Sequence, residues 1–433
     1  MKTLHPHGRV LTGLIAGLMI FTLFTAIMVN PIQAQGIEFI KKLTGSPPQA
    51  DSNFGGQVAV SGDIIVIGEH LRDHDAGLTG GVGRAYIFNS NGDLKKILQS
   101  PAPLTLGDFG WAVAASGDTI IIGEPDPTAS GDAGKAHIFN SNGNFIKTLQ
   151  SPSPVAGAWF GMSVAVSENR IVVGEPSSNS GQGRAYIFDS YGNPLNTLQS
   201  PSPQASAWFG YSVSVSGDRI LVGEPLSNTH EGRAYIFDSD GNPLNTLQSP
   251  SPQSSSWFGW SVDIDGNDIL VGEPLRNSQQ GSINIFDSNG NFIKSLQSPS
   301  PEAGAWFGWS VATDRNYILV GETRGASSEG RTYLFDSTGN LIETLQSPTP
   351  EAGLYAFGWS VAIDEDIIAI TDPSADISGT SEEGAAYLYR LSGLTVGGWV
   401  TPVNKLVILA PYLTLAGLVV VVSTIFVIRR REA

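Results

Sequence analysis

Residues 209–250 read FGYSVSVSGDRILVGEPLSNTHEGRAYIFDSDGNPLNTLQSP, and this stretch decides the fold. It contains four short runs of β-type residues: Tyr211–Ser216, Arg219–Glu224, Arg233–Phe237 and Leu244–Gln248. Each is of strand length, rich in Val, Ile, Leu, Tyr or Phe, and bounded by turn residues. Ser216-Gly217-Asp218 joins the first two runs, and Asp238-Ser239-Asp240-Gly241-Asn242 joins the last two. Glycine supplies positive φ at little cost, so these turns predict antiparallel hairpins.

The stretch is one of seven copies. Phe-Gly recurs at 54, 109, 160, 209, 258, 307 and 357, with spacings of 55, 51, 49, 49, 49 and 50 residues. Such a period means repeated supersecondary units that bury their apolar faces against one another. Six copies also carry the second turn, at residues 89–93, 140–144, 189–193, 238–242, 287–291 and 336–340. No segment of the repeats has helical periodicity.

Four antiparallel strands in each of seven repeats predict an all-β, seven-bladed β-propeller with four-stranded blades. Strand counting favours a closed ring over a linear stack. The last copy ends at its third strand, Ala385–Tyr389, whereas a fourth-strand sequence, Ile40-Lys41-Lys42-Leu43, precedes the first Phe-Gly. An N-terminal strand that completes the last blade closes the ring with 28 strands in all, over residues 36–392.

These residues resemble the FG-GAP repeat family, of which the integrin α-chain head is a member. Phe-Gly is literal here. The second half of the motif stands as Gly123-Glu124-Pro125, Gly174-Glu175-Pro176, Gly223-Glu224-Pro225 and Gly272-Glu273-Pro274, with Gly68-Glu69-His70, Gly321-Glu322-Thr323 and Thr371-Asp372-Pro373 as variants. The resemblance implies a propeller; it does not imply one function, because propellers host many. Integrin-type repeats often hold calcium between strands one and two, which takes several carboxylates on a loop long enough to wrap the ion. Here that connection is mostly Ser-Gly-Asp, which fits a hairpin. The nearest approaches to a calcium loop are Asp263, Asp265, Asn267 and Asp268 in copy five, and Asp364 with Asp366 in copy seven. No cofactor is expected, calcium remaining the open alternative.

The chain ends suggest a location. Lys2 and Arg9, an apolar run from Val10 to Val29 and the small residue Ala34 read as a signal peptide over residues 1–34, although the run is also long enough for an uncleaved anchor. Leu406–Ile428 is an apolar stretch of 23 residues followed by Arg429, Arg430 and Arg431, the pattern of a transmembrane helix with a cytoplasmic tail at 429–433. Residues 393–405 read as a stalk or linker. Val396–Lys405 with this anchor resembles the C-terminal anchors of archaeal surface proteins. The expectation is a single-pass membrane protein with its propeller extracellular.

The formal net charge is −16, and with the two ends set aside 19 basic residues face 39 acidic ones. Such a surface excludes nucleic acid as a partner and favours cations or basic partners. Cysteine is absent, and no N-x-[ST] acceptor for N-glycosylation occurs.

Two sets of side chains are candidates for function. One is the loop face, where strand-two-to-three connections such as His70–Gly83 and Pro373–Gly384 vary in length. Trp159, Trp208, Trp257 and Trp306 precede Phe-Gly on this face, and Trp111, Tyr211, Trp260, Trp309 and Trp359 follow it. The flat rings of Trp159, Trp208, Trp257 and Trp306 suit sugars, although packing between blades is the commoner use of tryptophan. Arg72 and His74 join them as ligand-binding candidates, with Asp73 and Asp75 beside them. The other set is a ring of acidic residues: Glu69, Glu124, Glu175, Glu224, Glu273, Glu322 and Asp372. Arg84, Lys135, Arg184, Arg233 and Arg331 stand opposite five of these, so cross-strand ion pairs are the expected structural role.

The sequence predicts an adhesion or ligand-binding module for an extracellular glycan or surface protein, with no catalytic residues. A polysaccharide-acting enzyme and a structural envelope component are the alternatives. Repetition speaks against the enzyme, since no copy carries a distinctive catalytic cluster.

Overall fold

A computed structural model describes residues 36–71, 81–103, 107–126, 132–349, 356–377 and 383–392. The signal segment 1–34, the linker 393–405, the apolar segment 406–428, the tail 429–433, and Arg72 through Asp75 lie outside the described residues. No helix among the described residues is long and apolar enough to cross a membrane.

The described residues form 28 strands in seven four-stranded antiparallel sheets, as the repeat count predicts. The blade read above contains Ser212–Ser216, Arg219–Glu224, Arg233–Asp238 and Pro243–Leu247. Glu224 pairs with Arg233 across strands two and three. The fourth strand joins through a register shift between Ile236 and Phe237. The turn before it explains the shift. Asp238 accepts hydrogen bonds from the backbone N–H groups of Asp240 and Asn242 and from the Asn242 side chain, so its carboxylate is filled by the hairpin itself. Asn140, Asp189 and Asp287 accept backbone hydrogen bonds in the same way in their blades.

The Phe-Gly pair locks neighbouring blades together. Each phenylalanine of the pair is fully buried, and Phe109, for example, bridges to Gly83 of the preceding blade while its ring meets Phe139 edge-on at 6.1 Å. Burial of such a ring contributes roughly 2–3 kcal/mol. The following glycine brings backbone onto backbone. Gly161 has φ +95°, and a Cβ there would collide with the Lys135 carbonyl of the preceding blade. A Cβ on Gly123, in the second half of the motif, would collide with the Gly161 carbonyl. The two conserved-spacing glycines are therefore the two sides of one interblade contact.

The ring closes as strand counting predicts. Gly36–Leu43 is the outer strand of the last blade, pairing beside Ala385–Ser392, which in turn precedes Ile367–Asp372 and Val361–Asp364 in sheet order. Across this seam the Phe54 N–H donates to the Glu383 carbonyl at 3.3 Å, the Val58 N–H to Ser360 Oγ at 3.2 Å and the Gly62 N–H to Asp364 Oδ2 at 2.6 Å. Leu43 joins a buried cluster with Phe54, Tyr86 and Leu388, drawn from the last blade and the first.

Short one-turn helices, which the sequence pattern did not reveal, occupy four strand-two-to-three connections: Ser178–Gly181, Ser227–His230, Arg276–Gln279 and Gly325–Ser328. In the second, Asn228, Thr229 and His230 all have positive φ (52°, 58° and 65°). Three consecutive non-glycine residues in this region cost about 1–2 kcal/mol each.

Closure by the N-terminal strand has a direct consequence. Deletion of residues 36–46 removes one strand's ladder and leaves an open edge, so the melting temperature should fall by more than ~10 °C. An unchanged melt in calorimetry would contradict the closed ring.

Candidate functional site

The start of strand one in every blade lines the central channel. At the position after Phe-Gly stand Trp111, Met162, Tyr211, Trp260, Trp309 and Trp359, and they surround a cavity of about 460 Å³ on the face that carries the strand-two-to-three loops. Four of these rings are in sequential contact: Tyr211 to Trp260 at 4.5 Å, Trp260 to Trp309 at 4.7 Å and Trp309 to Trp359 at 4.8 Å between centroids. Successive interplanar angles of 40°, 44° and 43° turn the rings steadily, which makes them a curved wall.

Below the aromatic ring lies a belt of hydroxyls. Ser163, Ser212, Ser261 and Ser310 each donate to the Phe-Gly glycine carbonyl of the next blade at 2.8–2.9 Å. A ring of valines follows, including Val164, Val213 and Val262. Among the described residues no carboxylate, lysine or arginine lines this cavity. A neutral, aromatic mouth is thus set into a strongly acidic chain.

Trp159, Trp208, Trp257 and Trp306 stand behind the lining rather than in it. All four are half-buried and have left-handed backbone, with φ between 60° and 65°. This conformation is uncommon for a bulky residue, and in blades four to six it sets the ring over the lining ring of its own blade. Trp257 stacks on Trp260 at 4.7 Å, Trp306 on Trp309 at 5.0 Å and Trp208 on Tyr211 at 5.7 Å. Arg324 covers the Trp306 ring at 3.7 Å, and the Trp306 indole N–H donates to Gln279 Oε1 at 3.2 Å. These tryptophans buttress the lining rings. Repetition gave no means of telling which side of Phe-Gly faces the channel, because a positive φ at tryptophan leaves no mark in sequence.

The acidic ring is seven separate buried sites between blades. Glu69, Glu124, Glu175, Glu224, Glu273, Glu322 and Asp372 are at most 1% exposed. Their main partners are hydroxyls. Tyr186 and Tyr235 donate to Glu175 and Glu224 at 2.9 and 2.7 Å, Tyr333 to Glu322 at 3.2 Å, and Tyr86 to Glu69. The serine of the Leu-Gln-Ser-Pro segment in the preceding blade joins each network: Ser100 donates to Glu124 at 2.9 Å and Ser249 to Glu273 at 3.0 Å. Gly45 takes this place beside Glu69, and Ser52 supplies the hydroxyl at 2.8 Å.

The expected set of five ion pairs is therefore corrected in part. The Glu–Arg register is as predicted, but Lys135, opposite Glu124, pairs with Asp132, and His137, at the tyrosine position of the other blades, reaches Glu124 at 2.6 Å. Arg331 lies 3.7 Å from Glu322. In blade five, Arg276 from the loop reaches Glu273 at 3.2 Å where Ser282 replaces the strand-three base.

Among the residues nearest to a calcium loop, Asp263, Asp265, Asn267, Asp364 and Asp366 are engaged with backbone or side chains. Asp263 accepts from Ser214 Oγ and the Thr313 N–H, both at 2.8 Å, and Asp265 from the Arg315 N–H at 2.9 Å. Asn267 Oδ1 accepts from Ser288, and Asp364 from the Gly62 N–H. Asp366 pairs with Arg390 at 3.4 Å. These bonds stitch one blade's hairpin to the next or to its own outer turn.

Burial raises several of these acids. Glu175 and Glu224 are raised by desolvation, and Glu322 is pushed up to about 7 by the same cause. Desolvation, with Asp126 and Glu124 nearby, pushes Asp108 up to about 7, and burial takes Asp263 to about 6. One oxygen of each of Glu175, Glu224 and Glu322 makes no hydrogen bond, so water's solvation of the charge is not fully replaced.

A raised folded pKa means the native protein holds protons that the unfolded chain has released. Stability from these groups is complete below the ordinary carboxylate range and is lost as pH rises towards 7. The melting temperature should accordingly fall by roughly 3–6 °C between pH 5 and pH 8. Glu322→Gln should flatten that slope, and a melt that rises over this interval would contradict the assignment.

The FG-GAP repeat profile matches residues 38–88, 106–139, 148–188, 197–237 and 352–389, from the first blade to the last. Blades five and six, between the last two segments, repeat the same strand order and Phe-Gly contact. A search of curated protein sequences finds no match to this chain. With the repeat profile, the Phe-Gly lock and the seven blades in agreement, the chain belongs to the FG-GAP repeat family.

Proposed function

We propose that this chain is a cell-surface binding protein whose propeller holds an extracellular glycan at the aromatic mouth of its channel. The observation that carries this reading is the continuous wall from Tyr211 through Trp260 and Trp309 to Trp359 around an open cavity of about 460 Å³. Pyranose rings have apolar C–H faces that lie well on indole, while their hydroxyls stay directed to water or to polar groups. The cavity offers room for one or two sugar rings rather than for a flat protein surface. It also lacks the charged groups with which a surface-protein partner would be fixed.

The chemistry selects among glycans. A net charge of −16 repels polyanions, and no lysine or arginine in the described lining offsets it. The preferred ligand is a neutral oligosaccharide. Rigid support favours binding, because the lining rings are already held by Trp208, Trp257 and Trp306 and lose little freedom when occupied. The signal segment 1–34 and the apolar segment 406–428 support a single-pass location with the propeller outside the cell. The reading is of a binding protein and not an enzyme.

The test is retention on immobilised neutral and acidic polysaccharides. The protein should be retained on neutral material, and replacing Trp260, Trp309 and Trp359 by Leu should weaken binding by about 30-fold or more while the fold is kept. Replacing Trp159, Trp208, Trp257 and Trp306 should weaken it less. Retention only on acidic polymers, or indifference to the lining triple variant, would overturn the reading.

A further inference from the structure

The aromatic lining breaks its repeat in one place. Blade one has Gly56 where blades two to seven have Trp111, Met162, Tyr211, Trp260, Trp309 and Trp359. The same blade has His70 where five of the other six have proline after the strand-two acid. The two departures compensate each other in space. The His70 ring lies 4.7 Å from Trp111, edge-on, and its Nδ1 is 2.7 Å from where a side chain at residue 56 would begin. An imidazole from the loop thus takes the place of the missing indole.

Polar capacity gathers at this point. Two residues that line the mouth each hold a buried side-chain atom without a hydrogen-bond partner among the described residues: Oδ1 of Asn53 and Nδ1 of His70. Asn53 is 9% exposed and is held in left-handed backbone at φ 54°. At the level where blade one has Gln57, the lining hydroxyls of blades three to six are already committed to glycine carbonyls. Blade two has Ala112 at that level. A buried polar atom without a partner costs free energy unless a ligand or water satisfies it.

We infer that blade one forms the polar subsite of the mouth, where Asn53 Oδ1 and His70 Nδ1 exchange hydrogen bonds with hydroxyls of a neutral sugar ring that lies against the aromatic wall. The inference rests on the glycan reading above and adds to it the source of selectivity. Aromatic faces hold most pyranoses alike. Two fixed polar atoms at one side of the ring distinguish sugars that differ in the direction of one hydroxyl, because the wrong epimer leaves those atoms unpaired.

The test uses the full-length chain and neutral hexose trisaccharides in gluco, galacto and manno configurations. His70→Phe keeps a ring against Trp111 and removes both nitrogens. Asn53→Gly keeps the left-handed backbone and removes the amide. Each variant should melt near the unaltered protein, bind the preferred trisaccharide about tenfold more weakly, and lose its preference among epimers. Trp260→Leu should instead weaken all three sugars while preserving their order. If both blade-one variants bind and discriminate as the unaltered chain does, the subsite is overturned and the aromatic reading stands. If the unaltered chain binds no neutral trisaccharide, the aromatic reading falls and takes the subsite with it.

Discussion

The structure depends on a contact between two glycines that have no side chains to separate them. In each of the first six blade junctions, the carbonyl of the Phe-Gly glycine lies against the strand-two glycine of the blade before it, as Gly161 does against Gly123 and Gly210 against Gly174. A methyl group on either side would hold the blades apart. At the closing junction Thr371 replaces the strand-two glycine, and a Cβ on Gly55 would stand 3.1 Å from Thr371 Cβ.

That contact also creates the mouth. By fixing how closely the blades approach, it places the residue after Phe-Gly at the channel rim in every blade, where six large side chains meet in a curved wall. The tryptophan before Phe-Gly in blades three to six is held in left-handed backbone and stands outside the lining. Further out, the same spacing closes water away from the strand-two acids. Tyrosine and serine hydroxyls from two blades then bond them, with a base added at Glu273 and Glu322. Packing, the aromatic rim and the raised acid pKa values share one cause.

Much of this was legible in the sequence. The period, the four runs per copy and the orphan strand at Ile40–Leu43 together imply a closed seven-bladed ring, and the turn at 238–242 reads correctly as a hairpin. The functional residues were harder to place. Trp257 and Trp260 flank the same Phe-Gly, and only the backbone angle at Trp257 separates buttress from lining. The ion-pair expectation failed in part because register puts Arg opposite Glu, whereas Tyr235 two positions further on has the reach to bond Glu224. The helical turn at Ser227–His230 carries no glycine to announce its positive φ values. Gly56 and His70 were visible as departures from the repeat, but their compensation exists only in space.

The central claim is that an uncharged aromatic mouth on an acidic propeller holds a neutral sugar. Tryptophan fluorescence during titration with a neutral oligosaccharide, at low and at high salt, tests it most directly, since the lining rings themselves report occupancy. The account predicts a saturable spectral change whose midpoint is indifferent to salt, because stacking and neutral hydrogen bonds are not screened. A midpoint that weakens steeply with salt, or no spectral change at saturating sugar, would contradict it.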